Sequence, residues 1–186
     1  MTPSTDPRTF LESGYRLVSQ SHDIEATISQ LVHKAVQISG SEMGSLYLLD
    51  KTDRVLRPFI TLNLPQSYLD GCKEIAFGTQ CCGRAVLHRM PWFVTDMLTD
   101  PLFADAREAA RKSGIRAAFS VPVITVSGDC LASLAAHFRE PHSPAPEVVE
   151  LMELCASVIA AAVNRYQAAK PVQSVVPTQA RSVRSV

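Results

Sequence analysis

An excess of charge of either sign is missing from this sequence. Eighteen Lys and Arg residues balance eighteen Asp and Glu residues, so the formal net charge at pH 7 is +0, and the basic residues form no cluster. Proteins that bind nucleic acids or anionic membrane surfaces carry a basic patch that attracts their partner. We therefore expect neither a nucleic acid nor a membrane as a partner of this chain.

Long apolar runs are also missing. No uninterrupted apolar segment approaches the roughly 18–20 residues that a membrane-spanning helix needs. The first ten residues, MTPSTDPRTF, lack the basic and then apolar regions of a signal peptide. These two absences predict a cytoplasmic protein.

Cysteine is present, but not in the spacing of a metal or redox site. The five residues Cys72, Cys81, Cys82, Cys130 and Cys155 are an odd number and include no C-x-x-C pair. This pattern supports neither a zinc ribbon nor a thioredoxin-like pair. We expect mostly free thiols, because a bond between the adjacent Cys81 and Cys82 would close a strained ring and a buried cysteine packs as a small apolar residue.

The rest of the composition is that of one globular domain. The chain has 186 residues, of which 46% are apolar and 19% charged, which is enough for one sizeable core. We predict a leader and short helix over residues 1–19 and a folded domain over residues 20–168. Residues 1–8 should be a loose leader, with the helix over residues 10–19. Residues 169–186 turn polar and contain proline, so we expect a disordered tail there.

Apolar residues at three- and four-residue steps predict two long helices. The first follows Asp23, a suitable N-cap, and stops at Gly40. The second opens at Ser143 and Pro144 and carries an apolar stripe over residues 148–163. Short helices are predicted over residues 65–71, 82–89 and 104–112.

Two hairpins predict an antiparallel sheet. Strands over residues 44–49 and 55–62 flank a polar four-residue loop. Strands over residues 117–126 and 130–138 flank a glycine-containing turn. Pro58 cannot donate to a ladder, so its strand should be at an edge or bulged there. Short strands are predicted over residues 74–77 and 92–95. Hairpins framed by helices give an α+β fold.

Short motifs between residues 78 and 141 carry a family resemblance. They read GTQCCGRAV (78–86), PWFVTD (91–96), DPLF (100–103), SGIRA (113–117), SVP (120–122) and REP (139–141). In this order and spacing they resemble the GAF domain, a small-molecule-sensing module, and above all the GAF domains of bacterial sensor histidine kinases. The resemblance covers roughly residues 20–166. It implies a three-layer arrangement, with a central antiparallel sheet of five or six strands and helices on both faces.

The resemblance also implies a function. We expect a non-catalytic sensory module that binds a small molecule or anion and relays pocket occupancy through its terminal helices. Its partner would be a histidine kinase of a two-component system or a transcription regulator. The terminal helices should pair two copies into a homodimer, unless their apolar stripe only covers the sheet of their own subunit. The predicted ligand-binding residues are Tyr47, Cys82, Gly83, Arg84, Asp96, Asp100, Phe103, Arg116, Ala117, Phe119, Ser120 and His137.

The turn at residues 78–84 leaves two interpretations open. A turn into a helix presents free N–H groups that favour an anion or a carbonyl ligand, and Arg84 could add a charged clamp. Alternatively, Gly83 only allows the helix to pack closely on the sheet, and Arg84 points into water.

Arg116 and His137 are open in the same way. Arg116 either pairs with Asp96 or Asp100 or binds an acidic group of the ligand. His137 should share a strand face with Leu131 and with small residues that leave room for a ligand. A satisfied core histidine is nevertheless the more common case.

No metal or cofactor is expected. Asp96, Asp100 and Asp105 follow no EF-hand spacing and have no histidine nearby, so they should begin or cap turns. The Cys-His pair that holds a bilin and the histidine that binds haem in other GAF classes are missing. A P-loop and a dinucleotide fingerprint are missing as well.

A thiol-dependent enzyme is the main alternative function. The free methionine-R-sulfoxide reductases are a neighbouring GAF family with a cysteine at the position of Cys82, near a helix N-terminus, which lowers a thiol pKa. Their chemistry also needs a cysteine in the loop after the V-x-D strand, and here that loop, residues 96–105, has none. A third possibility is an interaction module whose pocket is filled by its own side chains.

Overall fold

The computed structural model describes residues 7–169. The helices are α1 (Pro7–Gln20), α2 (Ile24–Ile38), α3 (Gln66–Gly71), α4 (Gln80–His88), α5 (Arg107–Ser113) and α6 (Pro146–Ala169). The strands are β1 (Met43–Asp50), β2 (Val55–Leu62), β3 (Ile75–Ala76), β4 (Trp92–Val94), β5 (Ala117–Ile124) and β6 (Cys130–Phe138). A 3₁₀ helix, Pro101–Ala106, directly precedes α5. Among the described residues, no helix is both long and apolar enough to cross a membrane.

The strands form one antiparallel sheet in the order β3-β2-β1-β6-β5-β4. The two predicted hairpins lie side by side at its centre, because β1 pairs with β6. The register of β1 on β2 shifts between Leu46 and Tyr47, and Tyr47 lies opposite Pro58, so the ladder is bulged at the proline, as predicted. The predicted α+β fold, with helices on both faces of a central antiparallel sheet, is confirmed.

One face of the sheet, the terminal-helix face, is covered by α2 and α6, with α1 packed on α6. Its core is mostly aliphatic, and Ile159 of α6 is fully excluded from solvent. Gly44 lets α2 lie directly on β1, since an added Cβ would come within 2.1 Å of a methyl carbon of Val36. Arg165 of α6 donates to the carbonyl oxygens of Val18 and Ser21 and so fastens α6 to the end of α1.

The other face, the short-helix face, is covered by α3, α4, α5 and the 3₁₀ helix. Its core mixes apolar residues with two tyrosines and with buried thiols. Asp100 caps the 3₁₀ helix, and its side chain accepts a hydrogen bond from the Leu102 N–H. This layer therefore consists of short segments, whereas the opposite layer consists of three helices of 14 or more residues.

The ends of the described part differ from the predictions. α1 begins at Pro7, so the prediction of a loose leader is wrong for residues 7 and 8. Residues 1–6 of that leader lie outside the described residues, as does the predicted tail from residue 170 onward. α6 begins at Pro146, so Ser143 and Pro144 precede the helix instead of opening it.

The helices of the short-helix face also differ from the predictions. The single helix predicted over residues 104–112 is divided into the 3₁₀ helix, in which Phe103 has non-helical φ and ψ, and α5. α4 begins at Gln80, two residues earlier than predicted. Cys81 and Cys82 therefore lie in its first turn, and both are buried in the core between the helix and the sheet.

Candidate functional site

Alternation along the three central strands places polar side chains on the short-helix face. They are Ser45 and Tyr47 of β1, Ser120 of β5, and Ser133 and His137 of β6. All five, which we call the polar cluster, are exposed by 3% or less. Buried polar groups in proteins are nearly always hydrogen-bonded, so any that lack partners point to a site.

His137 has one ring nitrogen without a partner. Its Nε2 lies 3.2 Å from Ser45 Oγ, and its ring meets the ring of Tyr68 edge-on at a centroid distance of 5.2 Å. Its buried Nδ1 has no hydrogen-bond partner among the described residues. Burial lowers the pKa of His137 to about 4, so the ring is neutral at pH 7. A neutral imidazole donates or accepts at Nδ1 according to its tautomer.

Tyr47 presents a second unpaired atom. Within residues 7–169 its buried hydroxyl finds no hydrogen-bond partner. Burial raises the pKa of Tyr47, and the neighbouring thiols of Cys82 and Cys72 raise it further, so the hydroxyl keeps its proton. A buried hydroxyl without a partner costs roughly 1–3 kcal/mol, which a bound hydrogen-bond acceptor would recover.

Cys82 reaches the polar cluster from α4. The hydroxyl oxygens of Ser120 and Ser133 are 2.6 Å apart, and both hydroxyls act to lower the pKa of the Cys82 thiol. Burial nevertheless raises the pKa of Cys82, which is 3% exposed. The sequence suggested a pKa lowered by the helix N-terminus, but the loss of hydration outweighs that effect. Cys82 is therefore a protonated, weakly nucleophilic thiol at pH 7.

The other four cysteines are also buried free thiols. Burial raises the pKa of Cys72 and that of Cys155 to about 12 each. The Cys81 thiol is held by the main-chain carbonyl oxygens of Trp92 and Ala118, at 3.2 and 3.5 Å. In the described part of the chain, no three His, Cys, Asp or Glu side chains are grouped so that they could hold a metal ion.

Gly83 and Arg84 of α4 have structural partners. A Cβ at Gly83 would lie 2.2 Å from the carbonyl oxygen of Ala76, so the glycine lets α4 touch β3. Arg84 is 7% exposed and donates to the carbonyl oxygens of Gly78 and Leu102, so the expectation that it points into water is wrong. Its buried Nη1 has no partner within residues 7–169. Binding of a ligand by Arg84 stays a prediction.

Arg116 is paired with Asp96. Its Nε and Nη2 donate to the two carboxylate oxygens at 3.0 and 2.6 Å. These bonds lower the pKa of Asp96, which also accepts from the Leu98 N–H at 3.1 Å. Asp100 accepts from the Leu102 N–H at 2.7 Å. Both aspartates therefore begin or cap turns, as the sequence indicated, and of the two alternatives for Arg116 the structure contains the ion pair.

Comparison with known protein families identifies the family of this chain. The GAF domain family matches the chain over residues 23–163. The chain belongs to the GAF domain family. The resemblance drawn from the motifs is therefore confirmed, and the polar cluster lies in the middle of the matched segment.

The individual relatives of this GAF domain are distant. The methyl sulfide methyltransferase-associated sensor of Methanosarcina acetivorans is 22% identical over 154 residues, which are 82% of this chain but only 15% of that protein. A domain of a two-component sensor histidine kinase protein from Sinorhizobium meliloti is 17% identical, with a TM-score of 0.65 over 80% of this chain and 96% of that one. The free methionine-R-sulfoxide reductase of Neisseria meningitidis, solved with its substrate, is 20% identical, with a TM-score of 0.67 over 91% and 98%. At such identities the solved structures show a shared GAF fold.

The predicted site residues of this GAF domain do not all come together. Tyr47, Cys82, Ser120 and His137 meet in or at the polar cluster. Phe103 is buried on the same face, in the 3₁₀ helix. The side chains of Ala117 and Phe119 point away from the cluster, because they alternate with Ser120, and Phe119 is part of the core on the terminal-helix face.

The expected strand face of His137 also needs a correction. Leu131 lies in the core of the terminal-helix face together with Ala132. The register of β6 on β5 shifts at this point, so two successive residues face the same way. Beyond the shift, Ser133, Ala135 and His137 do share one face, as expected.

Two contributors to the site were missed from the sequence: Ser45 and Tyr68. Ser45 precedes Tyr47 by two residues, so strand alternation could have assigned it to the cluster. Tyr68 lies on α3, which has six residues, and so short a helix shows no periodicity from which its buried side can be read.

Proposed function

We propose that this GAF domain is a non-catalytic sensory module that binds a small molecule between the sheet and the short helices. The observation that carries the proposal is the pair of buried, unpaired polar atoms on adjacent strands, the Tyr47 hydroxyl and His137 Nδ1. Atoms that have given up water without gaining a partner are costly in a closed core and useful in a ligand site. The sensor and the sensor histidine kinase among the relatives support the same role.

The strands that carry the site offer a route for the signal. Tyr47 faces the polar cluster, whereas its neighbour Leu46 is fully buried in the core under the terminal helices. A displacement of β1 on ligand binding would therefore press on α2 at the close contact of Gly44 with Val36. Packed interfaces pass such small shifts on as helix movements. We propose that a histidine kinase or transcription regulator in the cytoplasm receives this movement.

A ligand screen tests the proposal. Native mass spectrometry of the purified full chain identifies any retained molecule, and a thermal-shift screen covers anions, nucleotides, small acids and uncharged compounds. A ligand present at 100 times its dissociation constant adds about 2.7 kcal/mol to the free energy of unfolding. The shift should shrink in His137→Gln and persist in His33→Gln, a matched change at an exposed histidine. If no compound binds, the pocket is filled by its own side chains and the chain is an interaction module.

A thiol-dependent reductase is the second candidate, since one solved structure with this fold is a free methionine-R-sulfoxide reductase. The buried Cys82, with its raised pKa, and the absence of cysteine from residues 96–105 argue against this chemistry. A methionine-R-sulfoxide reduction assay with dithiothreitol decides between them. We expect the same background rate for the native chain and for Cys82→Ser. Clear turnover that Cys82→Ser abolishes would overturn the non-catalytic function.

We further propose a homodimer, with α1 rather than α6 as its main surface. Most of the predicted apolar stripe of α6 is buried within its own subunit. On α1, Tyr15 and Leu17 are 38% and 43% exposed, beside an apolar groove of about 260 Å³ between α1, α2 and α6. Sedimentation at micromolar concentration should give twice the 20.3 kDa of one chain. Leu17→Glu should give monomers, whereas Leu102→Glu, at a residue 57% exposed on the 3₁₀ helix, should not. A monomeric native chain would exclude the dimer.

A further inference from the structure

Within the described part of the chain, the titratable groups around Tyr47 and His137 carry no charge at pH 7. Burial raises the pKa values of Tyr47, Tyr68, Cys72 and Cys82, so all four keep their protons. Burial lowers the pKa of His137 to about 4, so it has lost its proton. A charged ligand that entered these surroundings would give up hydration without gaining a counter-ion.

The two arginines that the sequence suggested for an anion are engaged elsewhere. Arg116 gives Nε and Nη2 to the carboxylate of Asp96. Arg84 gives Nε and Nη2 to main-chain carbonyl oxygens, and its guanidinium carbon lies 5.9 Å from the centre of the Trp92 ring. Two buried arginine nitrogens, Nη1 of Arg84 and Nε of Arg107 on α5, have no partner among the described residues. An anion would depend on these two nitrogens, which makes Arg84 and Arg107 the rival binding groups.

We infer that the ligand of the proposed sensory site is a small uncharged molecule with an apolar body and an oxygen that accepts a hydrogen bond from the Tyr47 hydroxyl. This inference rests on the proposed function. Ser45 holds Nε2 of His137, which leaves Nδ1 to pair with a second polar atom or with the same oxygen. The surrounding side chains of Met97 and Phe103 are fully buried and supply apolar contact. Ketones, amides, ethers and sulfoxides belong to this class.

Tyr68 controls access to the two atoms. Its ring packs edge-on against His137, and it is 4% exposed. It belongs to α3, a six-residue helix whose first turn has no side-chain cap at Pro65. A helix this short depends on packing for its stability, so it is easier to displace than a long helix. The ligand therefore replaces the ring of Tyr68, and a phenyl-sized body matches the space released.

Four probes of phenyl size test the inference: acetophenone, ethylbenzene, benzoate and benzylammonium. Each is titrated by calorimetry at pH 7 into the native chain, into Tyr47→Phe and into Tyr15→Phe, a matched change at a tyrosine 38% exposed on α1. Acetophenone should bind the native chain about tenfold more tightly than ethylbenzene, because it alone accepts the hydrogen bond, and the charged probes should not bind. Tyr47→Phe should remove this tenfold preference, and Tyr15→Phe should keep it.

Tyr68→Ala makes the test independent of any movement of α3. If the inference is right, Tyr68→Ala still binds acetophenone more tightly than ethylbenzene. A variant that only offered a larger apolar cavity would bind ethylbenzene at least as tightly as acetophenone. Equal binding of the two uncharged probes overturns the inference. Tighter binding of benzoate that Arg84→Gln or Arg107→Gln abolishes also overturns it, while the sensory function stands. If no probe binds either the native chain or Tyr68→Ala, the inference fails, and a negative ligand screen would then remove the sensory function as well.

Discussion

The two faces of the six-stranded sheet are covered by different kinds of helices and carry different side chains. On the terminal-helix face, long helices cover a mostly aliphatic core, and Gly44 allows direct contact of α2 with the sheet. On the short-helix face, brief segments cover tyrosines, a histidine, serines and thiols, and four buried polar atoms, two of them in the polar cluster, lack partners among the described residues. The first arrangement maximises buried apolar contact, which stabilises the fold. The second gives up stability for polar groups that can recognise a ligand.

The largest expected effect comes from a cavity on the terminal-helix face. Ile159→Ala removes buried methyl groups from a residue that is 0% exposed, and it should lower the free energy of unfolding by about 4 kcal/mol. Leu102→Ala is the matched control, since Leu102 is 57% exposed on the other side of the sheet, and it should cost less than about 1 kcal/mol. Urea unfolding measures both. A cost below about 1 kcal/mol for Ile159→Ala would contradict the assignment of the stable face.

The next effect is a loss of stability in acid caused by His137. Its pKa is about 4 in the folded chain and about 6.5 in the unfolded chain, so as pH falls below about 6.5 only the unfolded chain gains the proton. The neutral ring of His137 therefore contributes about 3 kcal/mol to the free energy of unfolding above that pH. This contribution is lost as the pH falls towards 4.

Urea unfolding at several pH values between 7 and 4 measures this loss. The part that comes from His137 should disappear in His137→Gln and remain in the exposed control His33→Gln. Asp96 affects the free energy of unfolding in a separate, more acidic range. Its pKa is lowered in the folded chain, so its bonds to Arg116 are lost only when the pH falls below the ordinary pKa of the carboxyl group and the carboxylate is protonated. An identical pH profile for His137→Gln and the native chain would show that His137 is not buried as a neutral ring.

A smaller difference should separate the thiols of the two faces. All five are buried and protonated, so alkylation requires opening of the covering layer. Cys72 and Cys82 lie under short segments and Cys155 lies on α6, so the first two should be alkylated about tenfold faster. Timed iodoacetamide labelling in native buffer, followed by peptide mass spectrometry, gives the rates. Equal rates for the three would mean that both layers open together.

The smallest effect concerns the unpaired hydroxyl. Tyr47→Phe removes a buried polar atom that has no partner in the described chain, so it should raise the free energy of unfolding by up to about 1 kcal/mol. Tyr15→Phe at the surface should change it by a few tenths. Calorimetric melting of the ligand-free protein measures the difference. A clear loss of stability in Tyr47→Phe would show that the hydroxyl is paired.

What the sequence could predict depended on regular patterns. The two hairpins and α2 were predictable because turn residues, strand alternation and the Asp23 cap act locally. The position of Tyr68 was not, because a six-residue helix has no periodicity and its orientation comes from packing against its neighbours. The register shift of β6 at Leu131 was not predictable for a similar reason. Nothing in the local sequence shows that two successive residues face the same side of the sheet there instead of alternating.

The candidate site was predicted only in part. The motifs include Cys82 and Ser120, which lie at the polar cluster, and also Phe119, which lies on the other face, because motif positions do not tell which face of a strand a residue occupies. For Arg84, only the alternative that it points into water was wrong, because its partners are main-chain carbonyl oxygens, and these leave no mark in a sequence. Its burial follows from the 3₁₀ helix that folds over it, which is a tertiary contact.

The two outermost strands, β3 and β4, affect whether another chain can add a strand to the sheet. β3 has two residues and β4 has three, and β4 follows Pro91, which has no N–H to offer. Edge strands this short, one of them next to a proline, are poor templates for strand addition and for the growth of aggregates. Strand addition is therefore a disfavoured mode of contact with another protein, which leaves helix surfaces and side chains for such contact.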